Sequence, residues 1–232
     1  MIYCVLAMPR TGSHLLQTGI NQHPQVEGYL ELLNGGRGQE VGGKTVQDFD
    51  KPEEYTQYLV DYESQSDCHL GLIVHVQAMM YRPQLMRFLN DNLDLVVSLT
   101  RENLLRRVVS FKKAQNTRKW QLWKEAGEEA RKTATVAITE QDLRYGRDTQ
   151  RYHDRMPSVI DKPEYVSLSY EELVEDYQGL LTEIWTALGL EPVQAEKKLV
   201  KQTPEPLTEV VDNYDEFAKM ARERGLKQYL NE

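Results

Sequence analysis

MIYCVLAMPRTGSHLL, Met1 to Leu16, is the stretch that decides how the rest of the chain is read. Ile2 to Met8 is an apolar run of strand length, and it meets Pro9, which disfavours helix in the residue before it. Gly12 permits a tight turn, Ser13 is a favourable helix cap, and Leu15, Leu16 and Ile20 then recur at helical spacing. The stretch predicts strand, loop and helix. A helix that begins where a buried strand ends directs free backbone N–H groups and a positive dipole end outward, which suits a phosphate or sulfate. Arg10 adds a full charge at that point. The same residues also fit a plain βα turn, in which Pro-x-x-Gly-Ser only stops a strand and caps a helix.

With 232 residues, 40% of them hydrophobic, the chain fits one domain, 1–232, with a substantial core. The apolar run starts at Ile2 without a basic leader and is broken by Arg10, so no signal peptide is expected. No stretch has the apolar length of a membrane span, and the expectation is a cytoplasmic protein. Cys4 and Cys68 lie in or beside apolar runs without metal-ligand spacing and read as free thiols. A net charge of −8 argues against a surface that grips nucleic acid throughout. Arg101 to Lys119, however, holds seven basic residues against one acid, Glu102, which suggests a discrete anionic ligand.

Two further buried strands are expected, at His69 to Val76, a continuous run of the kind found in a parallel sheet covered on two faces, and at Leu93 to Leu99. Tyr165 to Leu168 is a short fourth. Helices are expected from about Lys51 to Glu63, within Met79 to Asn92, from Asn103 onward, over Trp120 to Arg131, over Glu140 to Arg155, and from Ser169 to Leu188, where Ser169 and Glu172 form a capping box. Asn34 to Gly43 contains five glycines and reads as a surface loop or a plain connector. The fold class is α/β, a single-domain three-layer fold around a central parallel sheet.

A nucleotide triphosphatase or kinase loop requires Gly-x-x-x-x-Gly-Lys-Ser/Thr, and its third strand ends in a magnesium-linked aspartate. The first loop lacks that pattern, and the third strand runs into Thr100-Arg101 instead. What PRTGSHLL does resemble is the 5′-phosphosulfate loop of sulfotransferases, which use 3′-phosphoadenosine-5′-phosphosulfate (PAPS) as donor and release the 3′,5′-bisphosphate (PAP). RENLLRRVVS, Arg101 to Ser110, resembles their 3′-phosphate-binding element, with the spacing of bacterial carbohydrate sulfotransferases. His23-Pro24 followed by Glu31, the Tyr170-Glu171-Glu172-Leu173 helix start and the lysine-rich segment Lys197 to Thr203 are similar to further elements of that family. Two positions depart from its pattern: His14 stands where threonine is usual, and Ile73 stands where a Gly-x-Lys would place lysine.

The resemblance implies a P-loop-like sulfotransferase fold and transfer from PAPS to a hydroxyl or amine of a small-molecule, carbohydrate or lipid acceptor, without a metal. Arg10, Thr11, Gly12, Ser13, His14 and Leu15 would hold the 5′-phosphosulfate, Arg101 and Ser110 the 3′-phosphate, and Lys201 would be a further donor-binding residue. Glu31 would take the acceptor's proton, with His75 at a strand end as the rival base. Each has a structural alternative: Glu31 as a surface carboxylate, His75 as a hydrogen-bonded core histidine. The competing functions are a P-loop nucleotide kinase or phosphotransferase and a non-catalytic nucleotide or nucleic-acid binder.

Overall fold

The computed structural model describes residues 1–31, 39–80, 83–124, 134–161, 164–201 and 203–230. Five strands, β1 (Ile2–Ala7), β2 (Val26–Tyr29), β3 (His69–His75), β4 (Leu95–Thr100) and β5 (Tyr165–Ser169), form one sheet of order β2-β3-β1-β4-β5. Every pairing is parallel, with Leu6 opposite Val74 on one side and Ser98 on the other.

β1 lies at the centre because its side chains are apolar on both faces. Ile2, Cys4, Leu6 and Met8 enter one core layer with Leu70, Leu72, Val74 and Val96. Tyr3, Val5 and Ala7 enter the opposite layer with Ile73, Val97, Leu99 and Trp185. Strands with this burial on both sides read as continuous apolar runs, which is why the sequence discloses them. β1, β3 and β4 were legible that way, and β5 was expected as a short strand although Tyr165, Val166 and Ser167 are not buried. The fifth, β2, was not: it is a four-residue edge strand, Val-Glu-Gly-Tyr, with only Val26 buried, and carries too little apolar signal to be seen.

Helices cover both faces: α1 (Ser13–Ile20), α2 (Pro52–Ser64), α3 (Val76–Met80), α4 (Pro83–Asn92), α5 (Leu104–Thr117), α6 (Glu140–Asp154), α7 (Tyr170–Glu175), α8 (Tyr177–Ala187), α9 (Leu207–Val210) and α10 (Tyr214–Glu223). The continuous helix expected over Ser169 to Leu188 is two helices, because Asp176 ends α7 and caps α8 by accepting from Gly179 N at 2.9 Å. Ser169 does form the expected capping box with Glu172. Ser13, by contrast, is not the cap of α1. Gly12 holds that position, and Ser13 is the first helical residue.

A third apolar cluster packs α5 through Leu104, Leu105, Val108 and Val109 against Leu207, Val210 and Phe217 of the C-terminal region. Val136 to Ile138, expected as a short strand or turn, contributes a single parallel bridge between Val136 and Val211. Half of the glycine-rich stretch, 34–38, and the greater part of the helix expected over Trp120 to Arg131 lie outside the described residues. Cys4 and Cys68 are both free. Among the described residues no helix is long and apolar enough to cross a membrane.

The topology fixes where a ligand sits. The chain leaves β1 toward β2 on one side and leaves β4 toward β5 on the other, so the connections diverge between these two adjacent strands. In an open parallel sheet the crevice at that switch point, beyond the strands' carboxyl ends, is the binding position. The loops that border it are Pro9 to Gly12 and Arg101 to Asn103.

Candidate active site

The first loop is shaped by its own backbone. Thr11 turns inward and its hydroxyl donates to Met8 O at 2.8 Å, while Arg10 and Gly12 take left-handed conformations, φ 72 and 91. At Gly12 a side chain is excluded twice over: the backbone is left-handed, and a Cβ would stand 2.6 Å from Cδ2 of Tyr170. Tyr170 therefore backs the loop. The first N–H groups of α1 have no intrahelical acceptor and face the cleft with the helix's positive end.

Arg10 reaches across to the second loop. Its Nε donates to Ser110 Oγ on α5 at 3.0 Å, and its guanidinium also donates to the carbonyl of Trp120. Arg101, at the end of β4, donates from Nη1 to the carbonyl of Arg10 at 3.2 Å, stacks over the Tyr170 ring at 4.6 Å and lies 3.9 Å from Glu171. Burial lowers the pKa of Arg10 to about 10, with Arg101 adding to the effect and Tyr170 opposing it. Burial likewise lowers that of Arg101, against the opposing influence of Tyr170 and Glu171. Both remain charged at neutral pH, and their repulsion makes the crevice receptive to an anion.

These groups line a cleft of about 1110 Å³. Of the residues predicted from sequence, Arg10, Gly12, Ser13, His14, Leu15, Arg101 and Ser110 border it. Glu31, His75 and Lys201 do so as well. Thr11 does not, since its side chain is spent on Met8, and only its backbone remains for a ligand. Lys201 sits at the exposed rim, where partial desolvation and the nearby Arg106 and Arg101 lower its pKa. His14 is also reassigned: its Nε2 lies 3.0 Å from Glu31 Oε1, and its Nδ1 meets the amide of Gln121. The imidazole is thus engaged with the carboxylate and Gln121. His75, buried at the end of β3, places Nδ1 3.6 Å from the same Glu31 oxygen, and burial pushes its pKa down to about 4, with Glu31 opposing and His14 reinforcing the shift. Ile73, at the position where the family pattern has lysine, belongs to the apolar layer with Tyr3 and Val5.

Arg106 was missed in the sequence. It is buried, borders the cleft and donates to Glu205 O at 2.5 Å. A signal was available: Arg106 and Ser110 are four apart and share one face of α5. Three others of the basic run are structural. Arg107 is buried on Gly146 O and Thr149, Lys112 pairs with Asp142 at 2.9 Å, and Lys113 lies 3.9 Å from Glu205.

Comparison with known proteins bears on which anion this geometry suits. No family model matches the chain. It is 26% identical over 231 residues to Nodulation protein H of Rhizobium meliloti (strain 1021), covering 93% of this chain and 89% of that one. The crystal structure of a sulfotransferase from Alicyclobacillus acidocaldarius superposes with a TM-score of 0.55 at 13% identity, covering 98% and 94% of the two chains. The chain has the sulfotransferase fold. A second sulfotransferase-fold structure, the sulfotransferase domain of the Synechococcus PCC 7002 olefin synthase, superposes with a TM-score of 0.51 at 18% identity, over 93% and 82% of the chains. The resemblance carried by Pro9 to Leu16 and Arg101 to Ser110 therefore extends to the architecture that positions them.

Proposed function

We propose that this sulfotransferase-fold protein moves a sulfuryl group from PAPS to a hydroxyl or amine of a small-molecule, carbohydrate or lipid acceptor. One observation carries the reading: two arginine-bearing loops from adjacent strands converge on one cleft, where Arg101 bonds the Arg10 carbonyl and Ser110 bonds the Arg10 guanidinium. A nucleotide with phosphates at both its 3′ and 5′ positions is the ligand that uses both loops at once. The cleft is large enough for such a nucleotide together with part of an acceptor.

Bound PAPS supplies a sulfuryl group on a phosphate leaving group. Arg10 and the N–H groups at the start of α1 neutralise the 5′-phosphate as the S–O bond to it breaks, a task of positioning and charge stabilisation like that of phosphoryl transfer. Arg101 and Arg106, with Lys201 at the rim, hold the 3′ end. Glu31 takes the proton from the acceptor as its oxygen or nitrogen bonds sulfur, so the products are the sulfated acceptor, PAP and one proton. His75 stays neutral at physiological pH, and its buried position beside Glu31 suits a supporting part better than that of the base.

Isothermal titration with PAP and adenosine 5′-monophosphate tests the assignment. The bisphosphate should bind at least tenfold more tightly, since only it engages both loops. Equal affinities would overturn the reading, as would a strict requirement for magnesium and ATP.

A further inference from the structure

Glu31 stands in a chain of polar contacts. Its Oε1 lies 3.0 Å from His14 Nε2 and 3.6 Å from His75 Nδ1. On the far side of His14, the Gln121 amide donates to Nδ1. An imidazole nitrogen that accepts a hydrogen bond carries no proton, so neutral His14 bears its proton on Nε2, directed at Glu31. Neither nitrogen is then placed to take a proton from an acceptor, which separates His14 from the role of base.

The segment that delivers Gln121 is itself anchored. The preceding residue, Trp120, gives its carbonyl to Arg10 and sets its ring 5.9 Å from Phe111 on α5. At the other end, Glu31 has a left-handed backbone, φ 55, which a non-glycine residue keeps only where its surroundings hold it. A carboxylate on a strained backbone at the end of an edge strand needs such support to keep one orientation.

We propose that His14 and Gln121 are positioning residues: Gln121 fixes the tautomer of His14, and the Nε2–H of His14 holds the Glu31 carboxylate in the orientation in which it receives the acceptor's proton. The inference rests on the sulfotransfer reading. It explains why histidine occupies a position where threonine is usual in the family's loop: a threonine hydroxyl is too short to span from α1 to Glu31.

The test uses side-chain length. Gln places its amide nitrogen near the position of Nε2, whereas Asn mimics Nδ1 and stops short of Glu31. Three readouts apply to the full chain: calorimetry with PAP, hydrolysis of PAPS with water taking the acceptor's place, and histidine 15N NMR, which distinguishes the tautomers. His14→Asn and His14→Ala should lose about ten- to a hundredfold in hydrolysis, the effect of a misplaced catalytic group, with PAP affinity kept within about threefold. His14→Gln should stay within about threefold of wild type, and Gln121→Leu should shift the His14 proton partly to Nδ1. Equal losses for His14→Gln and His14→Asn, or a wild-type His14 protonated on Nδ1, would overturn the inference. If the variants do not fold, the wild-type tautomer alone decides. A wild-type protein that binds no PAP overturns the sulfotransfer reading, and this inference with it.

Discussion

Half-buried Arg10 and buried Arg101 are two cations whose loops are joined by a hydrogen bond, each with its charged form disfavoured by desolvation. An anion bound between them removes that penalty, and its affinity should depend on both. Arg101→Ala is expected to weaken PAP by at least tenfold, matching about 1.5–3 kcal/mol for a charge-assisted partner, and Arg101→Lys should recover only part because it lacks the planar fork; calorimetry reads both. Glu31→Gln keeps the shape of the base but removes its proton-accepting capacity, so PAP should bind normally while turnover falls roughly 10²- to 10⁴-fold. His75 gives a stability signature. Its folded pKa of about 4 lies below the unfolded value of about 6.5, so between these the unfolded chain binds the extra proton and stability falls as pH drops through that window. Urea titrations at pH 7.5 and pH 4.5 should show a loss on the order of 2–3 kcal/mol that is smaller in His75→Gln; an unchanged difference would assign the loss to other groups. At this scale the strand-end arginines were legible because each follows an apolar run directly. Gln121 was not, since its contact with His14 joins residues 107 apart and no periodicity reports it.

The element that does most to build the site is the turn from β1 into α1, and its form depends on Gly12 and Tyr170 together. Two left-handed glycines make the point separable. Gly189, φ 71, ends the region of α8 with open space where a Cβ would stand, whereas Gly12 faces the Tyr170 ring at 2.6 Å. Gly189→Ala should therefore cost only the conformational penalty of about 1–2 kcal/mol in denaturant titrations and leave PAP binding intact. Gly12→Ala should cost as much or more and also lose PAP, because the loop must move away from the ring. If both variants bind PAP equally, the Tyr170 backing has no part in shaping the site. The sequence disclosed this turn through Pro9 and the apolar run before it, yet assigned the cap to Ser13. Cap propensity favours serine, but the chain must reverse sharply to pass Tyr170, and that geometry gives the position to glycine. The same limit applies to β2, whose pairing with β3 is set by backbone register and not by apolar pattern.

Over the whole molecule, an acidic chain of net charge −8 concentrates its cleft-facing positive charge where β1 and β4 diverge. The remaining cations of the Arg101 to Lys119 run that pair with Asp142, Glu205 or backbone carbonyls are part of the packing of α5 on α6 and the C-terminal region. A nucleic-acid surface would need those cations presented in a row, so short oligonucleotides should compete with PAP weakly and lose what binding they have as salt rises. The charge that would neutralise the departing 5′-phosphate is supplied by Arg10 and backbone N–H groups, with Arg101 and Arg106 serving the 3′ end, which leaves no step that calls for a divalent ion. Sulfuryl transfer from PAPS is accordingly expected to proceed unchanged in excess chelator, followed by release of PAP. The assay separates the two leading chemistries cleanly: a phosphotransferase distributes the same charge between a lysine and magnesium and stops when the ion is removed. Activity that vanishes with chelator and returns with magnesium would move the assignment to that class, even though the strand-end aspartate such an enzyme uses is replaced here by Thr100-Arg101.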